Sequence, residues 1–491
     1  MTSAKAGRLD PDDWERFRQA AHDLLDCCID RLAGAQDFAW QPVPLDLEQT
    51  YAIRGSIPDP VELTQVLAKT VMPHATGNTH PRFWGWVHGT GLASGLLSEM
   101  VAVTMNSNCG GRDHGMSYME RAVIDWARKV FGFPETASGI LVAGTSQATV
   151  IALAAARVAA LGDSVRSEGQ GGAWLTAYAG QSAHNATRKA VELLGIGSAN
   201  LRLVPETERG LDATALRARI QEDRAAGAHP FVIIGTAGSV DLGRFDDLGA
   251  LADVARDEGM WLHVDGAFGA WTRLADEPWR SLSDQIEQAD SIACDFHKWM
   301  YVPYDCGLAL IRDEAIHRAT FAARPTYLAG QSRGLGGGEP WYCDYGIDLS
   351  RGNRALKVWT ALQHYGADRL GAAITANCAQ AALMGQLVEA EGRMRLAAPV
   401  VSNLCVFSAD ATRDPADQSS LNSRIAQDLQ IAGEAVFSTT AVEGVTCLRA
   451  AITNHRTTSD DIIAAVAKVA AARDRMGDSD GSDAEPILAV S

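Results

Sequence analysis

The chain has 491 residues and a formal net charge of −17, with 47% apolar and 21% charged residues. The length predicts two or three domains rather than one simple core, and the composition is ordinary for a globular protein. The acidic balance argues against nucleic acid as a partner, because phosphate binding needs clustered Lys and Arg. No apolar run approaches the ~20 residues that span a bilayer, so no membrane partner is expected. The N-terminal M-T-S-A-K-A-G-R-L-D-P-D-D lacks the apolar core of a secretory signal. Nine cysteines are scattered, without paired metal spacing, which points to a reduced cytoplasm and no metal site.

Trp14, Phe17, Ala21, Leu24, Ile29 and Leu32 recur at roughly helical spacing and predict an amphipathic helix over Pro11–Ala33. The Pro- and acid-rich link Asp37–Pro58 precedes a second helix over Asp59–Val71, with Pro60 in its first turn. His80 to Arg112 reads H-P-R-F-W-G-W-V-H-G-T-G, an apolar helix, then M-N-S-N-C-G-G-R-D-H-G. A helix over Ser117–Phe131 follows. G-I-L-V-A-G-T-S-Q-A-T then leads into V-I-A-L-A-A-A-R-V-A-A, a strong helix former. Gly144, Thr145 and Ser146 stand where the loop becomes a helix N-terminus, whose free N–H groups and dipole favour a phosphate. Ser146 serves there as N-cap or as a direct phosphate contact.

Leu161–Gly172 is a linker rich in Gly, Ser and charge. Trp174–Tyr178 predicts a strand before Q-S-A-H-N-A-T-R-K-A, which carries His184. Phe231–Gly238 is a buried strand ending in small residues, with the Thr236 and Ser239 hydroxyls near its end. Asp246–Gly259 predicts a helix with a glycine stop. Two short apolar runs, Trp261–Val264 and Gly307–Ile311, then predict buried strands. Asp265 ends the first and Lys298 lies in the polar turn before the second, which is where an open α/β sheet places its chemistry. Strands alternating with helices imply a mostly parallel central sheet flanked by helices.

Gly334–Gly338 has four glycines in five positions and predicts a mobile loop. Trp359–Ala390 is helical. Met394–Pro399, Val401–Ser408, Glu434–Thr440 and Thr446–Ile452 read as alternating strands, and Ser459–Met476 as a closing helix. The expected units are an N-terminal helical segment (1–95), a large α/β domain (96–365), a smaller α+β C-terminal domain (366–476) and an acidic, flexible tail (477–491).

H-V-D-G-A-F-G followed by D-F-H-K-W closely resembles the group II pyridoxal-phosphate-dependent amino-acid decarboxylases, which include the aromatic-L-amino-acid, histidine and glutamate decarboxylases. Phe296 replaces the family's usual Pro, and Gly266 an Ala. The resemblance implies fold type I, the PLP-dependent transferase-like fold, and pyridoxal 5'-phosphate as cofactor. Lys298 would bond to the cofactor's aldehyde. Asp265 would keep its ring nitrogen protonated, because a nearby anion raises that nitrogen's pKa. Ala267 is small enough to let the ring approach. His184, with Lys189-Ala190 in register, would stack on the ring. Thr145 and Ser146 would grip the phosphate, with His297 assisting. Gln147 replaces the usual Glu of that motif. Thr236 closes over the cofactor, and Val240 stands where the family often has a second Thr.

The resemblance also places the substrate side chain between Trp86, Val87, His88 and Gly89 on one side and Asn108, Gly110 and Arg112 on the other. These positions are more polar and smaller than in the aromatic-specific members. The bland reading is that Trp86 is core and Arg112 a solvated charge. Aligned from S-R-x-x-R-A-L-K-x-W, the loop tyrosine that returns a proton after CO2 leaves is Tyr342, with Tyr345 as competitor. The N-terminal segment would wrap over a second subunit of a homodimer. The expected activity is decarboxylation of an L-amino acid with an aromatic or polar side chain. Rivals are an aldehyde synthase, whose members tend to lack the loop tyrosine, another lyase or aminotransferase on the same fold, and a silent binding or scaffold protein.

Overall fold

The computed structural model describes residues 9–53, 55–323, 331 and 333–477. The expected tail beyond Gly477 therefore lies outside the described residues. The large domain holds a seven-stranded sheet: β1 (Ser138–Val142), β2 (Leu175–Gly180), β3 (Leu201–Val204), β4 (His229–Thr236), β5 (Trp261–Asp265), β6 (Ser291–Asp295) and β7 (Gly307–Ile311). Their spatial order is β1-β7-β6-β5-β4-β2-β3. All neighbours run parallel except β7, which is antiparallel to both β1 and β6.

Both faces of the central strands are buried, so the strands read as continuous apolar runs rather than alternating ones. That explains why β6 was missed: S-I-A-C-D is short, mixed in polarity and runs straight into the lysine turn. The helix Thr145–Leu161 packs across β4 to β7, and Leu248–Glu258 covers β4 and β5. Asp247 caps the latter by accepting the Ala250 N–H, and Gly259 ends it in the left-handed region at φ 62°.

A second core lies in the C-terminal part. Its antiparallel sheet comprises β8 (Arg395–Leu396), β9 (Leu404–Ser408), β10 (Ser438–Val442) and β11 (Val445–Ala451), in the order β8-β9-β11-β10. The helix Pro415–Ile431 packs against β11, and Ser459–Gly477 packs against that helix and against the helix Ala355–Glu391. The first of these was not anticipated, although Asp414 and Pro415 form a regular N-cap and first turn. A long helix, Ala355–Glu391, joins the two cores and breaks at Gly366, where φ is 73°.

The H-P-R-F-W stretch belongs to this second core. Trp84 is fully buried in it, and Phe83 pairs with Val436. The segment is thereby pinned beside the large sheet's strand ends. Arg351 and Glu120 form a buried ion pair at 2.6 Å, each with 1% of its side chain exposed. Arg351 also donates to the Cys109 carbonyl at 2.8 Å. Arg354 pairs with Asp305 at 3.0 Å, and Lys357 with Glu99 at 2.8 Å. These three cations of the S-R-x-x-R-A-L-K stretch therefore tie the start of the long helix to two neighbouring helices and to the turn at Asp305.

Candidate active site

The C-terminal ends of β1, β2, β4, β5 and β6 converge on one cavity of about 190 Å³, lined by Val87, Gly144, Thr145, Ser146, Ser182, His184, Thr236, Gly238, Val240, Asp265, Ala267, Asp295, His297 and Lys298. Register explains the convergence. Thr236 lies opposite Asp265, Asp265 opposite Ala293, and Asp295 opposite Gly307. Each parallel strand delivers its last residue to the same edge, where ligands of open α/β sheets bind.

Lys298 lies three residues past β6 and reaches back to Asp295, with Nζ 2.9 Å from Oδ2. Asp295 was not anticipated as a site residue, although it opens the D-F-H-K-W motif. Its other oxygen accepts the Thr145 N–H at 2.7 Å, so one carboxylate ties the lysine to the start of the Thr145–Leu161 helix. Burial works against the Lys298 ammonium, but Asp295, aided by Asp265, outweighs it and raises the amine's pKa. Burial pushes the Asp265 carboxyl up, opposed by Lys298, His184 and the Ala267 N–H. That N–H donates to Asp265 Oδ1 at 3.2 Å, which fixes the carboxylate's orientation. A cation facing Asp265 would offset this desolvation.

His184 has two roles at once. Its Nδ1 accepts the Ala186 N–H at 3.2 Å and so caps the helix Asn185–Leu193, which leaves a neutral ring's proton on Nε2. His297 Nδ1 lies 3.1 Å from both the N–H and the carbonyl oxygen of Cys306, and its Nε2 lies 3.7 Å from Asp295. Ser146 is not the N-cap of its helix. Gly144 holds that position, and the Ser146 side chain faces the cavity. The buried Thr145 hydroxyl has no hydrogen-bond partner among the described residues. Ser239 does not line the cavity; its hydroxyl accepts the Arg244 N–H at 3.1 Å.

The cavity fits a phosphorylated pyridine aldehyde. The helix N-terminus, Ser146 and the orphaned Thr145 hydroxyl suit a phosphate. A buried carboxyl suits a pyridinium, and a lysine amine an aldehyde. Gly238, at φ 86°, keeps one wall thin, since a Cβ there would crowd Phe268 and Gly269 at 3.1 Å.

The four residues expected around the substrate separate into two groups. Trp86 and His88 flank Val87, which lines the cavity while they themselves do not, and the His88 ring lies 5.7 Å from the Trp86 ring and 6.3 Å from that of Tyr304. Trp86 is half exposed rather than core. Asn108 and Arg112 do not line this cavity. The twelve-residue helix Ser94–Met105 carries the chain away by about 18 Å at ~1.5 Å per residue. Asn108 there accepts the Gly110 and Arg351 N–H groups, and Arg112 stacks on Trp341 with 4.6 Å to the ring centroid.

Tyr342 is also misplaced by the sequence reading. It is 3% exposed, lies under the Arg351 guanidinium at 5.2 Å, and lines a different cavity with Arg121, Ser138 and Glu314. Ser138 begins β1 whereas Gly144 follows its end, so the two cavities lie toward opposite ends of that strand. Tyr345 is buried there too and donates to Glu314. Neither phenol lines the Lys298 cavity of its own chain. The glycine run is tied down, with Leu335 accepting from the Asp113 N–H at 3.0 Å and Gly337 from the Trp341 ring at 2.7 Å. Residues 324–330 and 332 of the same loop lie outside the described residues.

Arg449 on β11 had no sequence signal. It is 3% exposed, and it donates from Nε to the Val240 carbonyl at 2.8 Å and from Nη1 to the Trp86 carbonyl at 3.0 Å. Burial lowers its pKa to about 10, against a weaker opposing pull from Asp241. One guanidinium from the small domain thus holds two lips of the cavity.

The family model "Pyridoxal-dependent decarboxylase conserved domain" matches residues 48–410. The chain is 29% identical over 471 residues to an aromatic-L-amino-acid decarboxylase of Bacillus atrophaeus, covering 93% of this chain and 95% of the relative. It is 27% identical over 472 residues to a phenylacetaldehyde synthase of Arabidopsis thaliana, covering 92% and 94%. Among solved structures, that of Oryza sativa TDC with PLP and tryptamine superposes with a TM-score of 0.86 at 26% identity, covering 96% of this chain and 100% of the other. The chain belongs to the pyridoxal-dependent decarboxylase family and is a pyridoxal-phosphate-dependent carboxy-lyase acting on an amino acid.

Proposed function

We propose that this family member converts an L-amino acid with an aromatic or polar side chain to its amine and CO2, with Lys298, Asp265 and His184 as its central residues. The observation that carries this assignment of roles is the single cavity that holds the Lys298 amine, the Asp265 carboxyl, the His184 ring and the Thr145–Ser146 helix start together. When bound, the cofactor supplies a protonated ring that accepts the electron pair released as the carboxylate leaves. Asp265 keeps a proton on that ring's nitrogen. Thr145, Ser146 and the helix dipole hold the phosphate, and His297 backs them. Ala267 and Thr236 bound the ring's edge, and His184 packs on its face. Asp295 holds the Lys298 ammonium at 2.9 Å until the amine is engaged, then keeps it in place as a proton carrier.

The substrate enters past Trp86 and His88. Asn108 and Arg112 can act on substrate only in a second copy's cavity, which makes their role depend on a homodimer. Apolar exposure supports that dimer: the helix Ser94–Met105 leaves Leu97, Met100, Val101, Val103 and Met105 uncovered, and the N-terminal helix leaves Trp14, Phe17 and Ile29. Among the described residues no helix is long and apolar enough to cross a membrane, and all nine cysteines are unpaired, which supports a cytoplasmic setting.

Tyr342 does not separate decarboxylase from aldehyde synthase, because it does not face the cavity. Product analysis does. Purified protein with added pyridoxal phosphate is assayed against the twenty L-amino acids for amine, CO2, ammonia and hydrogen peroxide, with Lys298→Ala as control. Amine and CO2 in equal amounts, lost in the control, support the proposal. Peroxide and ammonia in step with CO2 would replace it with the aldehyde synthase, and no CO2 from any substrate would end it.

A further inference from the structure

Lys298 stands in a short closed loop. The Tyr301 N–H donates to the Lys298 carbonyl at 3.2 Å, and the Val302 N–H to the Phe296 carbonyl at 3.2 Å. Tyr301 ends the turn in the left-handed region, at φ 58°, where a bulky residue is uncommon and persists only if its surroundings hold it. Its ring is fully buried, and so is that of Trp299, the residue after the lysine.

One amide holds both rings. Asn377, on the long helix Ala355–Glu391 and 1% exposed, accepts through Oδ1 from Trp299 Nε1 at 3.1 Å and from the Tyr301 hydroxyl at 2.9 Å. Its Nδ2 donates to Gln380 Oε1 and to the Asn454 carbonyl, each at 3.0 Å. Every donor and acceptor of the amide is therefore used, and a reversed amide would set its NH2 against two donors. Gln380 in turn donates to the Thr457 carbonyl at 2.6 Å. The same segment, 453–457, carries the loop that supplies Val87: the Asn454 side chain donates to the His80 carbonyl at 2.7 Å, and the Thr453 hydroxyl to that of His88 at 2.8 Å. The lysine loop, the long helix and the small domain thus meet at one side chain that lies outside the cavity.

We propose that Asn377 is a positioning residue for Lys298: by holding Trp299 and Tyr301 it sets the direction in which the lysine amine enters the cavity. This rests on the reading of Lys298 as the amine that bonds the cofactor's aldehyde. Without the amide oxygen, a buried indole N–H and a buried phenol O–H lose their acceptor, and the left-handed Tyr301 loses what holds it. The loop then relaxes, and a reacting group displaced by about 1 Å can cost on the order of 10²-fold in rate.

For the test, the full chain is freed of cofactor, mixed with pyridoxal phosphate and followed by visible absorbance as the Lys298 nitrogen bonds to the aldehyde carbon and water leaves. The holoenzyme's kcat and KM for CO2 release are measured beside it, on the best of the twenty L-amino acids. Asn377→Leu should slow formation of the bond and lower kcat by about tenfold or more, with KM within about twofold. Val388→Ala, which opens a cavity on the same helix in the second core, should lose stability with both rates within about twofold. Tyr301→Phe removes one donor only, serves should Asn377→Leu not fold, and should slow both rates by about threefold. The double variant should fall no further than about twofold below Asn377→Leu, because the two changes break one contact. Unchanged rates in a folded Asn377→Leu, or in Tyr301→Phe where that variant has to decide, would indicate a merely structural role and overturn the proposal. So would losses that multiply in the double variant. Lys298→Ala separates the two readings. If it still forms the bond and releases CO2, the role of Lys298 falls and this proposal with it; if it is silent while Asn377→Leu is unchanged, only the positioning role falls.

Discussion

The two walls of the cavity are built by different means. The wall that carries Asp265, Asp295, Thr236 and Thr145 is made of strand ends and one helix start within a single sheet. The opposite wall takes Val87 from a loop whose Trp84 is sunk in the small domain's core, and Arg449 ties that loop to Val240. The first is rigid because its residues are neighbours in a hydrogen-bonded ladder. The second depends on two cores meeting correctly, so it is where specificity can change without disturbing the chemistry.

That contrast makes the sheet wall the costlier one to damage. Asp265→Ala should lower kcat by about 10² or more, since a buried group that stabilises developing charge is commonly worth that much. It should also weaken cofactor retention, read from visible absorbance after dialysis. A kcat within a few-fold of the unaltered enzyme would break the comparison at its strongest point. Arg449→Lys, on the other wall, should cost about tenfold in kcat/KM, mostly through KM. One ammonium cannot hold both carbonyls as a guanidinium does. A loss confined to kcat would place Arg449 with the sheet wall instead.

A stability measurement extends the contrast to the layer beneath. His263, two residues before Asp265 on β5, is fully buried and bonded through Nδ1 to Ser291 at 2.8 Å. Burial lowers its pKa to about 3. The folded state therefore binds fewer protons than the unfolded chain between about pH 3 and an unfolded value near 6.5. Stability is full above that window and drains away as pH falls through it. At pH 5 relative to pH 7 the loss should be about 2 kcal/mol, and His263→Gln should not show it. Urea midpoints at the two pH values read this directly, and parallel losses in both proteins would contradict it. The smallest effect is expected at Tyr342→Phe: kcat within about twofold, because Tyr342 lines a cavity other than that of Lys298. A thousandfold loss there would restore Tyr342 as the proton donor.

Much of the sheet wall was legible before any coordinates. Asp265, Lys298, His184, Thr145 and Thr236 sit at strand ends or helix starts, and short apolar runs punctuated by small or charged residues mark those places. Asp295 was overlooked because β6 gave no periodic signal. Of the other wall only Val87 was legible, between Trp86 and His88, which do not themselves line the cavity. Asn108, Arg112 and Tyr342 were drawn to the site by alignment across a helix and a loop whose direction no local pattern records. Arg449 carried no signal at all, because its partners are backbone carbonyls more than two hundred residues away in sequence.

The sequence alone determined the alternation of strands and helices and the placing of Asp265, Lys298 and the Gly144–Ser146 helix start at strand ends and turns, which follow from local periodicity and from the order in which a parallel sheet presents its strand ends. The cofactor those residues would serve was implied by the family resemblance. The tertiary structure alone decided which aromatic and polar side chains face that chemistry, through the docking of the small domain and the direction taken by the helix Ser94–Met105. Those are long-range packing outcomes, and a side chain's distance from the lysine is fixed by the cores it joins rather than by its place in the chain.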